Sequence, residues 1–213
     1  VLAAQAVKRS VRVVLTRQQM FSFGHRPMTR QQIALGADKS GKLMALTHAV
    51  VAETSRFEDY IEVVVNWSGS AYQCDNVTLD YKVAALDVYT PLDMRAPGAT
   101  QGVYALESAM DELAYAAGVD PLALRLLNYA EKDQNTGKPF SSKELKACYE
   151  QGAAKFGWDQ RSAAPRSMRR GKTLIGWGMA TGFWDAMQQP ASARAVLTVD
   201  GKLAVSSATA DIG

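Results

Sequence analysis

The spacing of apolar residues changes along this chain, and each change marks a shift between strand and helix. Residues 2–8 carry the small, apolar spacing of a helix tail, and VRVVLT at 11–16 reads as a strand. Two further strands, 31–38 and 42–53, flank DKSGK, where Gly41 suits a tight hairpin turn. IEVVV at 61–65 fits a short buried strand or part of a helix equally well. In KVAALDVYT, 82–90, Val83, Ala85, Asp87 and Tyr89 alternate with Ala84, Leu86 and Val88, as in a strand buried on one face that leads directly to Arg95.

From Gln101 the period becomes helical, with Val103, Leu106, Met110, Leu113 and Ala117 on one face and Gly118 as a left-handed stop. Asp120 and Pro121 supply a cap and first-turn proline for a second helix, with Leu122, Leu126 and Tyr129 inward. Ser141 and Glu144 have capping-box spacing for a third, which puts Leu145, Cys148, Tyr149 and Phe156 on one face before Gly157. The helical cluster is thus expected over about 101–156. Strands then resume in TLIGWGMATGF, ARAVLTV and KLAVSSATA, the last two around a two-residue Asp200-Gly201 loop. This order predicts an α+β fold: a first subdomain at 1–160, a linker at 161–172 and a second subdomain from 173 to 213.

Composition narrows the picture. With 213 residues, 47% of them hydrophobic, the chain can bury a substantial core. A balance of 24 Lys+Arg against 21 Asp+Glu argues against a nucleic-acid partner. The local concentration of Arg161, Arg166, Arg169, Arg170 and Lys172 reads as a solvated linker. Cys74 and Cys148 match no cysteine-cluster spacing and are expected to be free, buried thiols. No apolar run reaches the roughly 20 residues that span a bilayer. The chain opens without methionine and stops just after a strand-like run, so it is expected to be an internal part of a longer polypeptide.

Few patterns carry chemistry. His48 lies in an apolar strand and reads as a satisfied core or surface residue, while His25 in FSFGHRPM belongs to a turn or a strand entry. No GxSxG elbow, HExxH pair or metal-ligand cluster is present, so no side chain is expected to ligate a metal. APGATQG at 96–102 precedes a helix, so its amides and Arg95 could hold an anion, although pattern alone favours a plain turn with a solvent-facing or structurally paired arginine. Phe183 and Trp184 follow Gly182, where aromatic rings can wall a flat pocket or simply pack into the core.

Five stretches in order, GHRPMTR, MRAPGATQGVYALESAMDELA, DPLALRLLN, GWGMATGFW and VDGKLAVSSATADIG, together give a more specific signal. Through them the chain resembles, over essentially its whole length, the molybdenum-binding large subunit of the xanthine oxidase / aldehyde oxidoreductase family. RAPG in place of an RGFG-type turn resembles the bacterial aldehyde-oxidoreductase branch.

The resemblance implies an oxidoreductase that converts an aldehyde or N-heterocycle with water as the oxygen source. Its molybdopterin cofactor, which also occurs as a cytosine dinucleotide, is held through pterin and phosphates with no side chain on the metal. Iron-sulfur and FAD carriers are implied on other domains or subunits. Arg95 corresponds to the arginine of the active-site turn, and the resemblance implies that it is catalytic, orienting the substrate or stabilising its developing negative oxygen, and that it also contacts the cofactor. Ala96 and Pro97 line the pocket, Phe183 with Trp184 forms its aromatic side, and Asp211, Ile212 and Gly213 begin a cofactor loop. The catalytic glutamate and a glycine-rich cofactor loop are implied outside this chain, so the chain alone is expected to be inactive. A cytoplasmic location is expected, with the periplasm as the alternative. From a different class, a non-catalytic scaffold or interaction domain is the competing reading.

Overall fold

A computed structural model describes residues 1–185 and 190–208 of the protein. Helix α1 (Leu2–Val7) and the short α2 (Arg17–Met20) precede the sheet. Thr16 caps α2 reciprocally with Gln19. VRVVLT between them forms no strand: Val13 and Val14 are both 73% exposed, and alternation without a neighbouring edge does not make a ladder.

The sheet has three strands, β1 (Thr29–Ala37), β2 (Leu43–Ser55) and β3 (Val77–Leu86), with β2 central. β1 and β2 are antiparallel, with Ile33 opposite His48. Their hairpin follows from DKSGK: Asp38 N–H donates to Lys42 O, Gly41 takes φ 90°, and the Asp38 carboxylate accepts from Ser40 and Lys42. Gly41 is also required for space, because a Cβ there would strike Leu124. β3 runs parallel to β2 with Val50 opposite Tyr81, and the crossover between them carries the single-turn α3 (Asn66–Ser70).

Two expectations change in this region. β3 begins at Val77 and ends at Leu86, earlier than the predicted 82–90, with Leu79 and Tyr81 as its inward residues, so it stops well short of Arg95. IEVVV is neither strand nor helix; Glu62, Val64 and Val65 are buried while Ile61 and Val63 face out.

The 19-residue α4 (Ala99–Ala117) packs against β1 with Leu106, Met110 and Ala114 turned into the core beside Leu43, Leu46, Tyr72 and Leu124. Gly118 ends it in the left-handed conformation, as the sequence predicts. Near its start α4 lies directly on the 62–65 segment: a Cβ on Gly102 would collide with the Val64 carbonyl, and one on Gly98 with that of Val63.

α5 (Pro121–Leu127) starts as expected, with the Asp120 carboxylate accepting from Leu122 and Ala123 N–H at 2.9 and 3.1 Å. Its buried face is different: Leu124, Arg125 and Asn128 are inward, whereas Leu122, Leu126 and Tyr129 are only half-buried. Asn128 explains much of that shift. It accepts from Leu43 N–H at 2.8 Å and donates to Gly41 O at 2.9 Å, fastening the hairpin to the helix.

In α6 (Leu145–Phe156) the predicted capping box does not form, since Glu144 occupies the cap position without a side-chain bond. Only Tyr149 of the expected face is buried; Cys148 is exposed and Phe156 is 53% exposed, while Cys74 is buried as expected. Gly157 stops α6 with φ 77°.

In the linker Arg166, Arg169 and Arg170 are solvated, but Arg161 is engaged with Tyr115 Oη at 2.8 Å and Trp177 O at 3.2 Å. The long strand expected in TLIGWGMATGF shrinks to β5 (Thr173–Leu174), paired with β4 (Arg169–Arg170); the glycines after it leave no continuous ladder. β6 (Ala193–Leu197) and β7 (Leu203–Ser207) form the expected hairpin, with Val199 joining Asp200 and Gly201 in the loop. Every residue of both strands is exposed. The fold is α+β.

Two expected outcomes follow from this packing. Gly102→Ala forces α4 away from the Val64 carbonyl and should destabilise the protein by about 1–3 kcal/mol, read as a lower urea midpoint at unchanged m-value. A midpoint equal to that of the parent would show that α4 can move. The second concerns His48, 1% exposed between Ser68 Oγ at 2.7 Å and Gln31 Oε1 at 2.9 Å. Burial pushes its pKa down to about 4, so the folded imidazole stays neutral where the unfolded one, near 6.5, has taken up a proton. Stability should therefore fall as pH drops from about 6.5 to about 4, by a few kcal/mol in total. His48→Gln should lose that component; identical pH profiles for parent and variant would refute it.

Candidate functional site

The stretch leading to the predicted active turn has no regular secondary structure and is held by outside groups. Leu92 N–H donates to His25 O at 3.1 Å, and Tyr60 Oη donates to Asp93 at 2.8 Å. Burial, with Asp93 next in effect, raises the Tyr60 pKa, so it remains a protonated donor. GHRP enters here through two residues. His25 Nε2 lies 3.0 Å from Glu53 Oε1, which also accepts from Met28 N–H and anchors this turn to β2. Arg26 reaches across to the active turn, donating to Arg95 O at 2.6 Å and Ala96 O at 3.3 Å.

The organising group is Glu62, 1% exposed in the IEVVV segment. Its Oε1 accepts from Arg26 Nη1 at 3.0 Å and Gly98 N–H at 2.8 Å, and its Oε2 from Gln101 Nε2 at 3.1 Å. One buried carboxylate thus holds the GHRP turn, the cap of α4 and its first turn together. Within this frame Ala96 takes φ 54°, a left-handed conformation unfavourable for alanine by about 1 kcal/mol or more. Gly98 follows at φ 75°.

This arrangement modifies the sequence-based picture of the turn. Gly98 N–H, one of the amides expected to meet an external anion, is already bonded to Glu62. The group available for recognition is the Arg95 side chain, which is exposed and has no hydrogen bond or ion pair among the described residues, its backbone carbonyl being fixed by Arg26. Arg95 is a fixed-backbone, outward-facing cation, and the structurally paired arginine of this turn is Arg26.

Beside the turn lies a cleft of about 630 Å³. Ala96, Ala99 and Val103 line one side, Phe183 and Trp184 the other, and Glu107 and Asp111 continue along α4. Arg95 and Pro97 are in the adjoining turn without lining the cleft. Phe183 and Trp184 both contact Trp67, edge-on at 5.5 Å and stacked at 5.0 Å. Phe183 also packs against the main core, so both of its sequence readings hold in part: one side packs inward while the other borders the cleft. Asp211, Ile212 and Gly213 lie outside the described residues.

The cleft is largely apolar and aromatic-walled, which suits a flat group, while Arg95 stands exposed in the adjoining turn. Among the described residues no group of three or more His, Cys, Asp or Glu side chains is placed to hold a metal ion. Of the cleft's carboxylates, Glu107 is hydrogen-bonded to Arg125 Nε at 2.8 Å, and Asp111 faces Arg125 Nη1 at 2.9 Å in an ion pair without hydrogen-bond geometry. Sequence reasoning missed Glu62, Arg26, Gln101, Glu107 and Thr181 as determinants of the site. A lone glutamate inside an apolar run was the available signal for Glu62.

Residues 1–129 match the family model of the molybdopterin cofactor-binding domain. The chain is 39% identical over 214 residues to the aldehyde oxidoreductase molybdenum-binding subunit PaoC of Escherichia coli (strain K12), covering 100% of this chain and 29% of that protein. It is 30% identical over 190 residues to the putative xanthine dehydrogenase molybdenum-binding subunit XdhA of the same strain, covering 84% of this chain and 25% of that protein. In fold it is similar to aldehyde oxidoreductase from Desulfovibrio gigas, with a TM-score of 0.64 and 23% identity over 85% of this chain and 21% of that one. Quinoline 2-oxidoreductase from Pseudomonas putida 86 gives a TM-score of 0.58 and 18% identity over 74% of this chain and 22% of that one. The chain thus spans less than a third of the length of these relatives. By these matches the chain belongs to the molybdopterin cofactor-binding domain family, within the molybdenum-binding subunits of the xanthine oxidase / aldehyde oxidoreductase group.

Proposed function

We propose that this chain is part of a molybdenum hydroxylase that oxidises an aldehyde or N-heterocycle, with water as the source of oxygen. The observation that carries the reading is the juxtaposition of an outward Arg95, on a turn held rigid from behind, with a cleft walled by Phe183 and Trp184. The bound molybdopterin cofactor, cytosine dinucleotide form included, supplies the two-electron oxidation. The residues of this chain bind and orient. Arg95 and Ala96 contact cofactor or substrate at the turn, Pro97 stiffens it, and Phe183 and Trp184 stack on a planar substrate. Asp211, Ile212 and Gly213 are assigned to a cofactor loop on the strength of the family resemblance.

Arg95 acts by placing positive charge where the substrate oxygen becomes more negative in the transition state, which is worth most when that charge needs no rearrangement. Its fixed carbonyl supports such a role, since the side chain starts from an anchored backbone. Iron-sulfur and FAD partners would accept the electrons; that PaoC and XdhA are named as subunits supports an assembly with other chains. The subdomain division at 161–172 and a cytoplasmic location belong to the same reading.

Arg95→Ala in the complete enzyme should lower kcat/KM by roughly a hundredfold or more while leaving the melting temperature near that of the parent. Losses of equal weight in rate and stability would return Arg95 to a purely structural role. The isolated 213-residue chain should not oxidise aldehydes, because both described carboxylates of its cleft face Arg125 instead of standing ready as a base. Aldehyde-dependent dye reduction on the purified chain tests this, and turnover would contradict it.

A further inference from the structure

Residues 175–183 cross the molecule outside any strand ladder, so side chains of other elements set their course. Ile175 N–H donates to Met168 O, and Trp177 O accepts from Arg161. Beyond Trp177 the tether is Thr181, which is 4% exposed. Its N–H donates to Glu107 Oε2 at 2.6 Å, while its hydroxyl meets Tyr72 Oη at 3.0 Å and also Tyr149 Oη.

Glu107 is itself buried on α4 and saturated with donors. Tyr72 donates to Oε1 and Arg125 Nε to Oε2, and Arg125 Nη2 bonds the Glu107 carbonyl at 3.2 Å. Burial, followed by the Glu107 charge, pushes the Tyr72 phenol well above its ordinary range, so it remains a donor. Arg125 is fully buried. A buried ion pair is weak evidence for stability, because well-packed apolar residues often do as well. What this one provides is direction: its two oxygens are satisfied only if α5, Tyr72 and the Thr181 backbone hold fixed positions. Phe183 and Trp184 follow two and three residues later and form the aromatic wall of the cleft.

We infer that Glu107 is a positioning residue which, through Thr181, fixes the aromatic wall and so sets the preference of the site for planar aromatic over small aliphatic aldehydes. This deepens the functional reading above and rests on it.

The test uses the complete enzyme with Glu107→Gln, Thr181→Val and Thr181→Ser, and two probes, benzaldehyde and acetaldehyde. Glu107→Gln keeps the shape but not the charge, and Asp111 still faces Arg125; Thr181→Val leaves the N–H bond to Glu107 and removes the hydroxyl bonds to Tyr72, itself a donor to Glu107, and Tyr149, so it loosens the Thr181 end of the same network if the first variant fails to fold. Both should reduce the benzaldehyde-to-acetaldehyde ratio of kcat/KM roughly tenfold. Hydrogen exchange in peptides over 178–185 should quicken in both at parental molybdenum content, and Thr181→Ser should keep the parental ratio and exchange. Equal losses for both aldehydes, or an unchanged ratio, would overturn the specificity role. Unchanged exchange over 178–185 would overturn the positioning itself. A parent enzyme that oxidises neither probe would sink the functional reading and the specificity role with it, leaving the exchange result to decide the positioning.

Discussion

The buried carboxylate of Glu62 is the constraint on which the rest of the site depends. A charge without solvent must be matched by donors, and those available are Arg26, Gly98 N–H and Gln101. Satisfying them brings three segments that are distant in sequence to one point. That convergence holds Ala96 in its strained conformation and seats α4 with its glycines against the 62–65 backbone. It also separates two roles that a sequence reader would give to one arginine: Arg26 neutralises the interior, so Arg95 faces out.

A second buried charge network does similar work at the other side of the cleft. Glu107 and Arg125 join α4 to α5 and, through Thr181, to a stretch with no ladder of its own. The aromatic residues bordering the cleft are therefore positioned by polar contacts behind them as well as by the stacking on Trp67. Apolar packing supplies bulk here, and hydrogen bonds supply register.

Locally encoded features were legible in the sequence. Glycine and aspartate chemistry marked both hairpins, the Gly118 and Gly157 stops and the Asp120 cap, because each depends on a few neighbouring residues. The periodicity of α4 was readable in part: Leu106 and Met110 are buried and Leu113 packs against the core as expected, whereas Val103 and Ala117 are only half-buried and the buried stripe takes in Ala114 and Glu107. Periodicity failed where burial is polar: Arg125, Asn128, Glu62 and Glu107 are core residues that a hydrophobicity pattern assigns to the surface. VRVVLT and TLIGWGMATGF failed for a different reason, since a strand needs a partner edge and composition carries no information about one. Of the site, Arg95, Ala96 and Phe183 came from motif order, whereas the residues that orient them are scattered single letters without spacing.

The contact between Gly102 and the Val64 carbonyl gives the cleft an uneven capacity for change. The α4 backbone meets main chain at Gly102, which cannot be trimmed by altering a side chain, so the position of that helix is fixed even though Val103 and Tyr104, which it turns to the cleft, lie outside the contact. The opposite wall is a ladder-free stretch whose glycines, Gly176, Gly178 and Gly182, have open space around them and could take insertions or larger residues. Changes in the shape of the cleft are therefore expected to come from residues 175–185, with the helix backbone as the fixed reference.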